Sequence, residues 1–392
     1  MAKEYVPRAA ECGVEAFLNN GLVKLITGPR RAGKSVFALR MLQGKNFAYL
    51  NFDDNNLVES FDEIRISDAL DAVYPGYAYL VLDEIQNLPE WNDWVGKLYR
   101  AGINTIITGS NSNLLSGEME SMLTGRYISR EIFPFCFSEF CRAKKIPAPA
   151  FECAEEYLSN GGYPEIVNNR DIQDNYLETL FDSILAKDIA RRHGVRHLSE
   201  LNNLAEFLVS SFSTEVTYNS LMKDLGMRSE NTVKKFVGYF QEAYLFYLLP
   251  RFNNKLKLMQ KAPRKVYVID NGLISAKSFE VGANSGRRLE NLVFLELVRR
   301  GFVPGRSLFY YHTAAGDKEI DFVCRTKNRV SEIIQVCYRM DSSRTCSREF
   351  DAIEKASVEL ECPKRTVVVW NGGAVPVHPD GIEIVRYSDW AQ

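Results

Sequence analysis

The sequence predicts an α/β protein of several domains, the first of which is built on a parallel β-sheet. Three observations support this fold class. Apolar strand-like runs alternate with helix-like segments near the start of the chain, the middle has helical periodicity, and short strand-like runs return towards the end. A length of 392 residues suggests two or three domains at about 150 residues each. A hydrophobic fraction of 46% supports sizeable cores.

Composition excludes several classes of protein. The longest apolar runs fall short of the roughly 20 residues that cross a bilayer, and the start "MAKEYVPR" lacks the apolar segment of a signal peptide. We therefore expect a cytoplasmic protein with no membrane partner. The eight cysteines show no C-x-x-C pair and no neighbouring histidine cluster, so neither a zinc site nor a disulfide framework is indicated. A net charge of -2 means that any affinity for nucleic acid must be local.

The strongest motif is the stretch "VKLITGPRRAGKSVFALRML", in which an apolar strand runs into G-x-x-x-x-G-K-S and then into a helix. The glycines let backbone N–H groups surround phosphate oxygens at a helix N-terminus. In such a P-loop, Lys34 reaches the β- and γ-phosphates and Ser35 binds Mg²⁺. The expected ATP-binding residues are Gly28, Pro29, Arg30, Arg31, Ala32, Gly33, Lys34, Ser35 and Val36.

A second strand, in "YLVLDEIQN", ends in Asp83 and Glu84. Two carboxylates at the end of a strand indicate either a metal site or a polar surface, and the P-loop favours the metal site. We expect Asp83 to bind Mg²⁺ through water and Glu84 to polarise the attacking water. Together with Lys34 and Ser35, these residues predict an ATP- and Mg²⁺-dependent catalytic site.

Three further strands, "FAYLNF", "NTIITG" and "YISREIF", complete a predicted five-stranded parallel sheet with helices on both faces. "NTIITG" is followed by Ser110 and Asn111, which are either sensors of the γ-phosphate or ordinary turn residues. Arg126, in "LTGRYISR", is a candidate arginine finger. That role requires a neighbouring subunit and hence a homo-oligomer; a plain surface arginine is the alternative.

Six motifs occur in order: "GPRRAGKS", "YLNFDD", "LVLDEIQN", "IITGSNSNLL", "LTGR" and "IFPFCFSEF". From about Lys24 to Arg142 the chain resembles a prokaryotic family that joins an AAA-type P-loop ATPase to a C-terminal domain of unknown function. The resemblance implies ATP hydrolysis and an ATPase domain over residues 1–148, closed by the linker-like stretch "AKKIPAPAFE". It also implies that residues 149–199 form a helical linker or lid.

Residues 200–262 predict a winged helix-turn-helix, with three helical patterns followed by "LFYLLPRFNNKLKLMQK" as a two-stranded wing around an Asn-Asn turn. Between Glu242 and Asp270 there are six basic residues and no acidic one, which favours contact with double-stranded DNA. A protein-docking module or ATPase lid is the alternative. The candidate DNA-binding residues are Asn231, Lys234, Lys235, Gln241, Lys255, Lys257 and Lys261.

Residues 263–392 resemble the restriction-endonuclease-like fold, because a helix with Glu290 precedes a hairpin containing "EIDFV" and then the strand "IIQVCYR". The resemblance implies that an Asp and a following Glu-x-Lys hold Mg²⁺ and activate water. Glu290 and Asp321 match this pattern. Gln335 stands in place of the second acid and Cys337 in place of the lysine.

These two replacements predict a degenerate nuclease site. A glutamine carbonyl can ligate Mg²⁺ but adds no negative charge, and cysteine cannot supply an ammonium group. Lys318, on the neighbouring strand, is a possible substitute for the lysine. The leading hypothesis is an ATPase that couples its nucleotide state to DNA binding. The alternatives are a nucleotide-gated signalling or scaffold protein with a protein partner, and a working ATP-dependent nuclease.

Overall fold

The structure, a computed structural model, describes residues 5–115, 123–147, 151–167, 169, 172–279, 284–340, 342–370 and 378–391. The chain forms two compact units. The first unit comprises residues 1–134 and Glu242–Tyr244, and the second comprises residues 135–241 and 245–392. The predicted domain boundary after residue 148 lies outside the described residues. No helix within the described ranges is long and apolar enough to cross a membrane.

The first unit contains a five-stranded sheet in the order β2-β3-β4-β1-β5, and all neighbouring strands are parallel. This arrangement confirms the predicted parallel sheet. The sheet is buried on both faces, because Leu25 and Ile26 on the same strand belong to two different apolar clusters. The strands are β1 Val23–Thr27, β2 Phe47–Asn51, β3 Tyr79–Asp83, β4 Thr105–Gly109 and β5 Tyr127–Glu131.

Within the described part of this unit, five helices accompany the sheet. Asp62 begins α4, where its side chain accepts a hydrogen bond from the Arg65 backbone N–H (2.9 Å). In α5, Trp91, Trp94 and Leu98 are buried, as their helical spacing predicts. The helices are α1 Val14–Leu18, α2 Lys34–Met41, α3 Asn55–Glu59, α4 Glu63–Val73 and α5 Trp91–Arg100, with short 3₁₀ turns at Ala9–Glu11, Ile85–Asn87 and Ser112–Leu115.

The second unit begins with helices. The first of them is α6, in which Phe137 packs on Tyr157 of α7, with their ring centroids 5.7 Å apart. The Tyr157 hydroxyl also donates a hydrogen bond to the Phe135 carbonyl (2.9 Å). The helices are α6 Phe137–Ala143, α7 Phe151–Asn160, α8 Pro164–Val167, α9 Gln173–Ser183, a π-helix Ile184–Arg191, and α10 Leu198–Ser210.

A three-stranded antiparallel sheet follows, in the order β6-β8-β7. Its strands alternate with helices along the chain. The three helices predicted after residue 200 are present as Leu198–Ser210, Tyr218–Asp224 and Glu230–Glu242. The elements are β6 Glu215–Val216, α11 Tyr218–Asp224, α12 Glu230–Glu242, β7 Phe246–Pro250, α13 Leu256–Lys261 and β8 Arg264–Val268.

The predicted second strand of the wing is wrong. "KLKLMQK" alternates like a strand, but it forms α13, on which Leu256 and Leu258 are both exposed. An alternating pattern stabilises a strand only where its apolar side chains pack on one face of a sheet, and Leu256 and Leu258 are exposed instead. The partner of β7 is β8, whose buried apolar residues pair in the register Phe246↔Val268. The sequence had assigned β8 to the C-terminal domain.

The last part of the second unit is a mixed sheet in the order β13-β12-β11-β10-β9. The predicted β9–β10 hairpin is present, β10 and β11 are antiparallel, and β11 to β13 run parallel. Strand β13 was not predicted. The elements are α14 Asn271–Lys277, α15 Ser285–Arg299, β9 Leu308–His312, β10 Glu319–Thr326, β11 Arg329–Cys337, α16 Ser343–Glu359, β12 Arg365–Val369, β13 Ile382–Arg386 and α17 Tyr387–Trp390.

Asp270 ties the helical segment to the end of β8. Its buried carboxylate accepts hydrogen bonds from the backbone N–H groups of Gly162 (2.7 Å) and Gly272 (2.8 Å). A Cβ at Gly161, where φ is +71°, would lie 1.8 Å from an Asp270 oxygen. Gly161 in "SNGGYPE" is therefore required for this close approach.

Asp270→Asn should lower the free energy of unfolding by about 1–3 kcal/mol, because an amide offers one acceptor oxygen for two buried N–H groups. Urea unfolding of the full chain measures the change. The matched control is Asp182→Asn on α9, where the carboxylate is exposed and pairs with Lys277 at 2.8 Å. Equal effects of the two substitutions would contradict the role given to Asp270.

Candidate functional site

The P-loop joins β1 to α2 and depends on two glycines. Gly28 has φ +140°, and a Cβ there would lie 2.0 Å from the carbonyl oxygen of Ile132. Gly33 has φ +97° and immediately precedes the first residue of α2. Both backbone conformations disfavour a side chain. Gly28 is required by its close approach to Ile132 and by its positive φ, and Gly33 by its positive φ. The loop ends at a helix N-terminus, the position at which proteins bind phosphate.

Arg8 supports the loop from outside the motif. Its guanidinium donates hydrogen bonds to the carbonyl oxygens of Ala32 (3.0 Å) and Phe133, and the side chain is buried. These bonds fix the loop backbone to the segment after β5. The sequence did not single out Arg8, because nothing near it in the chain resembles a motif.

Ser35 and Asp83 meet at the carboxyl edge of the sheet. The Ser35 hydroxyl donates to Asp83 Oδ1 (2.8 Å), and the Tyr49 hydroxyl donates to Asp83 Oδ2 (2.7 Å). Thr108 also donates to Oδ1. Burial, followed by the neighbouring Asp83, raises the pKa of Tyr49, which therefore remains a donor. An oxygen-only set of a hydroxyl and a carboxylate fits Mg²⁺.

Glu84 lies beside Lys34. Its Oε1 is 3.6 Å from Lys34 Nζ, which also donates to the Pro29 carbonyl (3.1 Å). The backbone of Glu84 is left-handed, with φ 51°, and its N–H donates to Thr108 Oγ1 (3.1 Å). Burial alone would raise the pKa of Glu84, but Lys34, Gln86 and Arg30 outweigh burial and lower it. The carboxylate is therefore ionised near neutral pH.

A hydrogen-bonded relay connects Glu84 to the predicted sensor position. The Gln86 amide nitrogen donates to Glu84 Oε2 (2.5 Å) and to Ser110 Oγ (3.3 Å). Ser110 and Asn111 are both buried after β4. Gln86 was not predicted, although it lies in the quoted motif "LVLDEIQN". The relay gives Ser110 a physical connection to the predicted base.

Arg126 lies at the amino-terminal ends of the strands, opposite the edge that carries the P-loop. Its carbonyl oxygen accepts from the backbone N–H of Val23, the first residue of β1, and its guanidinium lies 5.7 Å from the Tyr99 ring centroid. The five residues of β1 separate it from its own P-loop by about 16 Å. An arginine-finger role therefore requires the P-loop of another subunit.

In the second unit, Lys265 brings the predicted nuclease acids together. Its buried Nζ lies 2.8 Å from Glu290 Oε1, 3.1 Å from Asp321 Oδ1 and 2.6 Å from Glu319 Oε1. The Tyr267 hydroxyl also donates to Glu290 (2.7 Å). We call this group the Lys265 cluster. The sequence counted Lys265 only among the basic residues between Glu242 and Asp270, and Lys265, not Lys318, supplies the ammonium here.

Charge in the Lys265 cluster is unbalanced, because three acidic side chains surround one ammonium. Burial raises the pKa of Asp321 to about 8; Lys265 opposes this shift, and Glu290 and Glu319 add to it. The surrounding carboxylates raise the pKa of Lys265 against the effect of its own burial. The lysine therefore stays charged.

Gln335 and Cys337 have separate structural roles. Gln335 Oε1 accepts from the Asp321 backbone N–H (3.3 Å), and its Nε2 donates to Glu349 Oε2 (2.8 Å). The Cys337 thiol donates to the Arg339 carbonyl (3.1 Å) and belongs to an apolar cluster that includes Phe350. Burial raises the pKa of Cys337 to about 12, so the thiol is neutral.

The candidate DNA-binding side chains are exposed, but they differ in whether they already form an ion pair. On α12, Asn231, Lys235 and Lys234 are exposed, but Lys234 pairs with Glu230 at 2.7 Å. Gln241 is exposed near the end of the same helix. The loop between β7 and β8 carries three exposed lysines, and these are Lys255, Lys257 and Lys261.

Three family models match the chain. An AAA domain covers residues 20–141, a Domain of unknown function (DUF8612) covers residues 152–282, and a Domain of unknown function (DUF4143) covers residues 285–390. The second match includes β8, in agreement with the pairing of β8 with β6 and β7.

Related proteins match along most of their length. An uncharacterized protein of Methanocaldococcus jannaschii is 33% identical over 96% of this chain and 90% of the relative. One of Haemophilus influenzae is 31% identical over 95% of each chain. Among solved structures, the Walker-type ATPase of Pyrococcus abyssi matches 70% of this chain and 96% of its own, with 14% identity and a TM-score of 0.47. The chain therefore belongs to the prokaryotic family that joins an AAA-type P-loop ATPase domain to C-terminal domains of unknown function.

Proposed function

We propose that the protein is a Mg²⁺-dependent ATPase that couples its nucleotide state to the binding of double-stranded DNA. The observation that carries the ATPase part is the meeting of four groups at one sheet edge. The Ser35–Asp83 oxygen pair lies beside Glu84, and Glu84 lies 3.6 Å from Lys34. Belonging to an AAA-type family supports nucleotide binding independently.

Each residue of this group has a distinct task. Lys34 and the backbone N–H groups of the P-loop bind the β- and γ-phosphates. Ser35 and Asp83 hold Mg²⁺, which when bound neutralises charge on the phosphate oxygens. Glu84, kept ionised by Lys34, accepts a hydrogen bond from the attacking water and orients it. Through Gln86, a change at Glu84 reaches Ser110, which suits a sensor of the γ-phosphate.

Lys34→Ala should abolish productive ATP binding, and Glu84→Gln should retain binding but slow hydrolysis by about 10²–10⁴-fold, the usual contribution of a positioned general base. Fluorescent-nucleotide binding and phosphate release measure the two effects. Glu63→Gln, at an exposed acid of α4 paired with Lys97 (2.8 Å), is the control and should hydrolyse ATP normally. A parent-like rate in Glu84→Gln would refute the assignment of the base.

The DNA part is supported by the order of elements in the second unit. Helix α10, strand β6, helices α11 and α12, and the antiparallel pair β7–β8 follow one another as in a winged helix-turn-helix. In that arrangement α12 is the recognition helix, with Asn231 and Lys235 exposed on it. The loop between β7 and β8 adds positive charge that can contact phosphates.

The same loop also favours a second candidate function, binding of a protein partner. Leu256 and Leu258 are 62% and 50% exposed on α13, next to the exposed lysines. Exposed apolar side chains contribute to protein interfaces more than to phosphate contacts. The salt dependence of binding distinguishes the two functions, since phosphate contacts release counterions.

Replacing Lys255, Lys257 and Lys261 by Gln should weaken duplex binding for any sequence and reduce the slope of log affinity against log salt by up to about 3. Fluorescence anisotropy at several salt concentrations, with ATP and with ADP, measures both. The control replaces three exposed basic residues elsewhere in the second unit, namely Lys327, Arg329 and Lys364. An unchanged slope in the first variant would favour the protein partner.

We also propose that the restriction-endonuclease-like part no longer cleaves DNA. Mg²⁺ binds oxygen ligands at about 2.0–2.1 Å. One oxygen each of Glu290 and Asp321 is already bonded to the Lys265 ammonium, at 2.8 Å and 3.1 Å. Asp321 Oδ2 accepts from the Val336 N–H (2.9 Å), which engages the second oxygen too. A cation that is already in place competes with a divalent ion for these ligands.

Purified protein should therefore not nick supercoiled plasmid with Mg²⁺ or Mn²⁺, with or without ATP. Asp321→Asn should leave the background rate of plasmid nicking unchanged, since no catalytic metal is lost. Nicking by the parent protein that Asp321→Asn abolishes would reverse this proposal and make Lys265 the catalytic amine. Gln335→Glu with Cys337→Lys should fail to restore cleavage, because it places a carboxylate against Glu349 and an ammonium in an apolar cluster.

A further inference from the structure

Three potential metal ligands from three strands meet next to the Lys265 cluster. His312 Nε2 lies 2.6 Å from Glu215 Oε1 and 3.3 Å from Glu319 Oε2. His312 and Glu319 are direct cross-strand partners in β9 and β10, and Glu215 on β6 is the partner of Lys265 on β8. Strand pairing thus holds all three backbone positions in place.

We infer that Glu215, His312 and Glu319 form a binding site for a divalent transition-metal ion of the Zn²⁺ class, separate from the P-loop. One imidazole nitrogen with two carboxylate oxygens is a donor set that such ions accept, and three protein ligands leave one position open. The three ligand atoms lie within 4.8 Å of one another. Neighbouring ligands in a tetrahedral zinc site lie about 3.4 Å apart, so small side-chain rotations suffice.

Surrounding contacts orient two of the ligands. Lys265 Nζ forms an ion pair with Glu319 Oε1 at 2.6 Å, which leaves Oε2 on the side of His312. The Tyr310 ring packs edge-on against the imidazole, with centroids 5.8 Å apart and an angle of 76°. Groups of this kind, which hold ligands without touching the ion, strengthen metal sites in proteins.

Local charge also favours a dication. Glu215, Glu319 and Glu290 form a continuous chain of carboxylates through Lys265 and His312, with three carboxylates against one ammonium. A bound divalent ion offsets part of this excess negative charge. The side chains of His312, Glu215 and Glu319 are 22%, 31% and 38% exposed, so an ion can enter from solvent.

The competing explanation is an ion pair in which a protonated His312 bridges the two glutamates. The two explanations differ in what they bind. An ion pair takes up no cobalt, whereas a site of this donor set takes up one Co²⁺, whose visible absorption reports its ligands. The inference does not depend on the proposed ATPase or DNA functions.

The test is a Co²⁺ titration of the full-length protein in excess Mg²⁺, followed by visible absorption. The parent should show a saturable band at one ion per chain, and His312→Gln, which removes a ligand, should weaken binding by at least the roughly 10–100-fold that follows loss of an outer contact. His197→Gln is the matched control, since His197 is an exposed histidine immediately before α10. Circular dichroism and thermal unfolding check that both variants are folded.

Three results would overturn the inference. The first is a parent protein with no saturable band, which leaves the ion pair as the explanation. The second is an unchanged band in folded His312→Gln. The third is a thiolate-to-cobalt charge-transfer band, which would place the ion on a cysteine such as the exposed Cys12. Glu215→Gln gives an independent check, because loss of one carboxylate ligand should also weaken Co²⁺ binding.

Discussion

The parallel arrangement of β1, β3 and β4 is the constraint on which the nucleotide site depends. Because the three strands run in the same direction side by side, their carboxyl ends lie at one edge of the sheet. The P-loop, the Asp83–Glu84 pair and Ser110 follow these ends. Residues far apart in the chain are thereby brought within hydrogen-bonding distance, as the Ser35–Asp83 bond of 2.8 Å illustrates.

Lys265 has the corresponding place in the second unit. A buried ammonium is stable only when its charge is compensated, and Glu290 and Glu319 already provide more compensation than one lysine needs. The bonds connect β8 to α15 and β10, so the three-stranded sheet and the mixed sheet share one electrostatic centre. Removing the lysine would leave several carboxylates buried together, which is costly.

The sequence predicted what local motifs encode. The five-stranded sheet and the placing of Ser35 and Asp83 in one site required only strand ends and spacing, whereas the grouping of Glu290 with Asp321 came from the resemblance to a nuclease fold. The sequence failed where tertiary contacts decide. Lys265 is 25 residues from Glu290 and 56 from Asp321, so no local pattern distinguished it from the exposed lysines of the same basic stretch. The alternating "KLKLMQK" likewise predicted a strand, because alternation does not reveal whether a sheet is available to cover it.

The same chain of charges explains why the two cation-binding positions of the second unit differ. The Lys265 ammonium is itself the counter-charge between Glu290 and Asp321, so under our proposal that position takes no dissociable metal ion. Glu319 contacts Lys265 through Oε1 and presents Oε2 to His312, at the position where we infer that a divalent ion binds. A divalent ion at His312 would therefore interact electrostatically with Lys265 through one shared carboxylate, that of Glu319. Any metal dependence of the second unit should arise at His312 and not at the nuclease-like acids.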